Sequence, residues 1–248
     1  VEKSLRGLKL LTSEEAMTHL QNQKKRTKRM KKLIIQAFLS FMLVNIALST
    51  FASDWHYGIR ASIFWIGERA AWVGAHFSPP GTMSSWDPHW RDNYGGIDHP
   101  IQRIGYFPAR FAPTENPFYV ALPFNDTTSA NRELTRKFVP VAWTKRNGSK
   151  CFGRWIEIRA PATGKRCFAQ WMDVGPWTTD DASYVFGHSR PKAPYGIDVS
   201  PAVRDYLGIH SGDRVDWRFA DEQNLPFGPW IQAKEEAIIF QAIKRKIH

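Results

Sequence analysis

The run from Cys167 to Phe219 contains Asp173-Val174-Gly175-Pro176, then Gly196-Ile197-Asp198-Val199-Ser200. Asp205-Tyr206-Leu207-Gly208 follows, and Arg214-Val215-Asp216-Trp217-Arg218-Phe219 closes it. Asp173 and Asp198 lie 25 positions apart, and each directly follows an apolar residue. Each therefore reads as a carboxylate at a strand end or turn. Between and after them the local signals are clear. Ser200 is a good helix N-cap and Pro201 suits the first helical position. Gly208 is the residue type that ends a helix, and the alternating run near Val215 is a final strand.

Working outward, Phe152 to Arg159 alternates as a strand, with Ile156 and Ile158 on one side of the pleat and Trp155 and Glu157 on the other. Pro161-Ala162-Thr163-Gly164-Lys165 is a turn. Arg166 to Met172 returns as a strand that delivers Asp173. Phe118 to Phe124 reads as a buried strand, Ala130 to Lys137 as a short helix, and Val139 to Trp143 as a further strand. Trp177 to Tyr195 is a long connection with a helical turn near 180–187. Loops of that length in a compact domain often bind something. Ile59, Ile63 and Ile66 fall at i, i+4, i+7 and predict an amphipathic helix within 53–76, broken at Pro79-Pro80-Gly81. Residues 82–113 read as irregular. Ala233 to Ile247 predicts a C-terminal amphipathic helix, for packing on the body or for an anionic membrane surface.

The order and spacing of these pieces resemble the double-psi β-barrel domain of rare lipoprotein A, the expansins and the family-45 endoglucanases. In that family a strand ends in Asp-x-Gly-Pro and a later segment reads Ile-Asp-Leu-Ser, followed by a short helix, a Leu-Gly turn and a last strand. The matching residues here are Asp173, Gly175 and Pro176, Ile197 to Ser200, Leu207 and Gly208, and the strand near Val215. Ala121-Leu122-Pro123-Phe124 resembles the segment that opens the barrel. The resemblance covers roughly 115–220. It implies a mainly β fold, a six-stranded double-psi β-barrel with added N- and C-terminal helices. It also implies a partner, peptidoglycan or another polysaccharide, and no cofactor. The chain departs from the family at Val174, where rare lipoprotein A has Arg, at Gly196, where expansins have His, and in the length of 177–195.

Acid/base cleavage of a glycosidic bond needs little more than well-placed carboxyl groups. Asp198 matches the residue expected to be the proton donor, with Asp173 as its partner. Two structural alternatives stand beside this. Asp198 could serve the helix N-terminus that follows it, and Asp173 could be a turn aspartate accepting backbone N–H bonds. Asn125, Asp126, Asp180 and Asp181 are the polar groups that could join the pair as substrate-binding residues. Trp177 and Tyr184 are candidate sugar platforms, since aromatic faces pack on the C–H face of a sugar; Trp171, inside its strand, reads as core. The implied activity is cleavage of peptidoglycan glycan strands in the manner of a lytic transglycosylase. The alternatives are an expansin-like binding module without catalysis, and a structural or inhibitory envelope protein.

Of the net charge of +11, residues 1–52 supply +7, with ten Lys/Arg against three Asp/Glu. The charge is therefore mostly a property of the leader, and nucleic acid is not an expected partner. Met30-Lys31-Lys32 precedes an apolar run from Leu33 to Ala52, with small residues at its exit. This pattern reads as a secretory signal peptide, with 1–29 an over-extension, or else as an uncleaved membrane anchor. Both imply export, periplasmic or extracellular, with membrane contact through the N-terminal segment. In an oxidising compartment Cys151 and Cys167 would form a disulfide, the alternative being two buried thiols. Asp87, His89, Asp92, Asp98 and His99 read as loop hydrogen-bonding groups rather than a metal site. The expected organisation is 1–52 leader, 53–114 helical and irregular extension, 115–220 barrel, and 221–248 amphipathic helix.

Overall fold

The computed structural model describes residues 54–69, 71–73, 76–78, 81 and 83–232, together with 17, 22, 25, 26 and 28–36. The chain divides into two units, 1–50 and 51–248. In the first, residues 28–36 are helical and exposed. Among the described residues no helix is long and apolar enough to cross a membrane. The signal or anchor reading rests largely on 37–52, outside the described residues, and the helix expected over 233–247 also lies outside them.

The second unit begins with strand β1, His56–Ile63. A small hairpin follows, β2 (Ala71–Val73) with β3 (His76–Ser78), then helix α1 (Trp90–Tyr94) and a second small hairpin, β4 (Arg103–Ile104) with β5 (Phe107–Pro108). Next come β6 (Tyr119–Leu122), α2 (Arg132–Phe138), β7 (Arg154–Ala160), β8 (Lys165–Val174) and α3 (Ala182–Val185). The chain continues through β9 (Ile197–Val199), α4 (Pro201–Leu207) and β10 (Arg214–Phe219). Six of these strands close a mixed barrel in the order β1-β10-β7-β8-β6-β9. Two neighbouring pairs are parallel, β1 with β9 and β6 with β8, and the other four are antiparallel. The protein is thus mainly β, with short helices as additions. Closure leaves no barrel strand with an unpaired edge.

The helix expected within 53–76 is not formed, because residues 56–63 are a barrel strand. Ile59 and Ile63 at i, i+4 fit a period of two as well as a period of 3.6, and Ala61 completes the strand pattern. Ile59 and Ala61 are buried while Arg60 is exposed. Gly58, at φ 62°, takes a left-handed conformation at the bulge against β10 and donates its N–H to Asp216. A helix interior offers no such place. The strand expected over 139–143 is also absent; that segment is a turn and loop.

The barrel interior is filled by Leu122, Ile156, Ile158, Trp171, Val199 and Trp217, all fully enclosed. Each such side chain contributes roughly 1.5–3 kcal/mol of burial. A second apolar layer lies outside β6 and β8, where Ile66, Trp90, Tyr94, Tyr119 and Met172 pack together. The segment before β6 is held by a buried ionic network: Arg103 pairs with Asp98, and the Tyr119 hydroxyl donates to the same carboxylate at 2.9 Å. Ser200 caps α4 by accepting from Val203 N, and Gly208 ends that helix in the left-handed region.

Cys151 and Cys167 are both free and buried, which corrects the expected disulfide. Cys167 stands opposite Ile158 in the β7–β8 ladder, seven positions along from Cys151. Ile158 is four positions, roughly 13 Å, along β7 from Arg154, and Cys151 lies in the turn before that strand, so the ladder does not set the two cysteines opposite each other for an S–S bond.

Candidate functional site

Asp173 and Asp198 flank one residue. Ala121, in the short central strand β6, is the register partner of Asp198 on β9 and of Asp173 on β8. Register partners share a face of the sheet, so the two carboxylates emerge on the same side, about 10 Å apart at Cα by two strand spacings. For Asp173 this depends on a bulge. Val120 faces Trp171, but Ala121 faces Asp173, so Met172 is an extra residue. Strict alternation from the core residue Trp171 would have turned Asp173 inward; the bulge turns it outward with Ala121.

Both aspartates keep part of their surface open while protein crowds them on most sides. Burial pushes the Asp198 carboxyl up to about 7. The charges of Asp173 and Glu68 push in the same direction, and the Ser62 hydroxyl, which donates to Asp198 Oδ1, pulls the other way. Burial pushes Asp173 up to about 6 against two backbone donors, Ser85 N at 2.8 Å and Val174 N at 2.7 Å, both on Oδ1. Desolvation therefore outweighs hydrogen bonding at both groups. The Asp198 side chain turns to Ser62, and Ser200 does the helix capping. Asp173 does accept backbone N–H bonds and also lies beside Asp198.

Gly175 permits the approach. A Cβ there would stand 3.2 Å from Asp198 Oδ2 and 3.8 Å from the Ala121 Cβ. The chain passes through a cis Gly175–Pro176 bond to Trp177, which is 42% exposed and holds φ 67°. A bulky residue in the left-handed region is strained and draws attention to a functional role. The Trp177 ring lies 5.8 Å from Tyr195, and the Arg60 guanidinium sits 4.6 Å over the other aromatic partner, Tyr195.

The remaining expected residues are elsewhere employed. Asn125 Oδ1 accepts from Trp86 Nε1, Thr127 N and Thr127 Oγ1. Asp126 accepts from Ser149 Oγ and Lys150 N, bracing the loop before β7. Asp180 is exposed and pairs with Lys192 at 3.1 Å. Asp181 is buried and accepts from Lys192 N at 2.8 Å. Tyr184 is enclosed between Trp217 Nε1, from which it accepts, and Gly196 O, to which it donates, so no sugar can reach its face. Of the loop acids and histidines, Asp87 accepts from His89 N and Asn93, Asp92 pairs with Arg91, and His99 accepts from Ile101 N. Among the described residues no group of three or more His, Cys, Asp or Glu is placed to hold a metal.

The sequence reading missed Ser62, Glu68, Ser85, Arg60 and Tyr195. Glu68 lies just beyond β1, and burial pushes its carboxyl up to about 7, opposed by the Trp65 backbone. Four of the five lie between residues 60 and 85, in segments read as a helix or as irregular chain. The available signal was the alternation of Ile59, Ala61 and Ile63, which puts Arg60 and Ser62 on one outward face. Compared with known proteins, the chain matches no family model and no curated protein.

Proposed function

We propose that this closed mixed barrel is of the double-psi type and that the protein acts on cell walls, cleaving peptidoglycan glycan strands as a lytic transglycosylase does. The observation that carries this is the pair of outward-facing aspartates on either side of Ala121, with carboxyls pushed up to about 6 and about 7. A carboxyl poised near neutrality can donate a proton and take one back. Asp198 gives its proton to the glycosidic oxygen as the C1–O bond breaks, and the nearby negative charge of Asp173 offsets the positive charge growing on the sugar ring. The 6-hydroxyl of the same muramic residue then attacks C1 and returns its proton to Asp198, leaving a 1,6-anhydro end. On this reading the protein is exported, and the apolar N-terminal segment is its signal or its membrane contact.

A second reading is favoured by the exposed Trp177 beside Tyr195: a glycan-binding module that loosens walls without cutting them. Digestion of purified peptidoglycan by the full chain, with Asp198→Asn as control and mass spectrometry as readout, separates the two. Anhydro-sugar products that vanish in the variant support cleavage. Reducing-end products that vanish would replace it with hydrolysis. Co-sedimentation without products from either protein would leave the binding module.

A further inference from the structure

Arg60 and Ser62 are two positions apart on β1 and share its outward face, roughly 7 Å apart along the strand. Ser62 reaches Asp198, so Arg60 marks the surface that leads away from the paired aspartates. Directly across from Arg60, as its register partner on β10, stands Arg214. Like charges placed opposite each other in an antiparallel pair are destabilising, yet among the described residues no carboxylate pairs with either one. Arg214 donates to Gly58 O at 2.6 Å, and Arg60 to the Tyr195 hydroxyl at 3.3 Å. A third arginine, Arg190, reaches the neighbouring carbonyl, Tyr57 O, at 2.6 Å, again without an acidic partner among the described residues. The acids of the adjoining loops, Asp54 and Asp213, face His188 and His210, and Asp216 is taken by Arg159. A cavity of about 180 Å³ opens beside Arg190, lined also by Trp55, His56, Tyr57 and His188. Three arginines without acidic partners among the described residues thus cluster around β1, and Arg60 lies against the half-buried Tyr195, beside which stands the exposed ring of Trp177.

We propose that the outer face of β1, with Arg214 and the loop 187–195, is a docking track for an anionic glycan strand. Arg60, Arg214 and Arg190 take the carboxylates of its muramyl residues, and Trp177 and Tyr195 take its sugar faces. Guanidinium groups suit carboxylates because they offer two parallel donors. The track leads to Asp198, and the proposal rests on the reading that Asp198 acts on a glycan.

The test is calorimetric titration of the full chain carrying Asp198→Asn, so that nothing is consumed. The probes are a carboxylated muramyl glycan oligomer, poly(glycerol phosphate) and neutral chitohexaose. The muramyl oligomer binds more weakly as salt rises, and at any salt more tightly than poly(glycerol phosphate). Adding Arg60→Gln and Arg214→Gln weakens that binding by about tenfold or more, since hydrogen bonds to charged groups are lost. Chitohexaose binding stays unchanged, and Arg60→Lys recovers part of the anionic affinity. Should the double variant not fold, Arg190→Gln carries the same comparison. Unchanged affinity for the muramyl oligomer, an equal loss for chitohexaose, or tighter binding of poly(glycerol phosphate) overturns the track. Equally tight binding of single-stranded DNA of the same charge overturns the assignment to glycans. The two readings fail separately. Arginine-dependent binding without Asp198-dependent products from the parent protein sinks catalysis and leaves the track. Asp198-dependent products with no arginine dependence sink the track alone.

Discussion

Ser62 on β1 and Asp198 on β9 are register partners in parallel strands, and the Ser62 hydroxyl donates to Asp198 Oδ1. A hydrogen bond donated to the charged carboxylate favours its ionised form. Ser62 is therefore a brake on a carboxyl that burial otherwise drives upward. In Ser62→Ala the brake is released, and Asp198 keeps its proton to higher pH than about 7. If the protonated acid is the active form, the alkaline limb of the pH–rate profile moves to higher pH. A limb that stays in place would separate Asp198 from that ionisation.

Raised carboxyl pKa values also have a consequence for stability. Asp198 and Asp173 release their protons near 7 and near 6 when folded, but near 3.9 in an unfolded chain. Between those limits the folded state holds more protons, so stability falls as pH rises through that window. Above pH 7 the full cost of two crowded charges is present; below about pH 4 it is gone. Asp198→Asn should thus stabilise the protein at pH 8, on the order of 1–2 kcal/mol after allowance for the residue's partial exposure. The gain should shrink towards zero at pH 4. Urea unfolding of the parent and the variant at both pH values measures it, and an equal difference at both would contradict the raised value.

Gly175 stands close against the pair. Its missing Cβ would press on Asp198 Oδ2 at 3.2 Å. Gly175→Ala should displace that carboxylate by a few tenths of an ångström or more, and misplacement on the ångström scale can cost about 100-fold in rate. At φ 158° an added side chain is also strained, so the expected outcome is a lowered melting temperature together with at least a tenfold loss of product formation per folded molecule. Loss of fold without any separate loss of activity per folded molecule would show that Gly175 serves the turn alone.

How much of this was legible follows from where the information lies. From β7 to β10 the signals are local: a turn at 161–164, a Ser-Pro helix start and a Gly helix end, and these elements form where expected. β1 was not legible, because Ile59 and Ile63 satisfy two periodicities and the barrel neighbour that decides between them lies more than a hundred residues downstream. Asp198 and Asp173 were legible as residues, but their shared face was not, since it depends on the Met172 bulge. Tyr184 and Trp177 looked alike as aromatic residues near the acids. One is enclosed and one is exposed, a difference set by the packing of α3 on Trp217. The cysteines were paired by compartment reasoning that carries no register information.

Those cysteines give a direct chemical check. Both thiols are buried, and burial pushes both well above the usual thiol range. A buried, protonated thiol is a poor nucleophile. The native protein should react with a thiol reagent at neutral pH far more slowly than a free cysteine does, and the denatured protein should release two equivalents. Dithiothreitol should leave the melting temperature unchanged within about 1 °C, against the 2–5 kcal/mol expected when a native disulfide is removed. Fewer than two thiols after denaturation without reductant would mean the pair can be oxidised after all.

Glu68 gives the opposite perturbation to Ser62. Its negative charge is among the forces that raise Asp198, alongside the larger contribution of burial and that of Asp173. Glu68→Gln keeps the shape and removes the charge, so Asp198 should lose its proton at lower pH than in the parent. The alkaline limb then moves to lower pH, and activity at pH 8 drops more than activity at pH 5. Ser62→Ala and Glu68→Gln thus shift one ionisation in opposite directions from two different segments of the chain. The double variant should fall between the single variants, because both act on the same carboxyl. Two shifts of the same sign would mean that Asp198 is not the group that titrates.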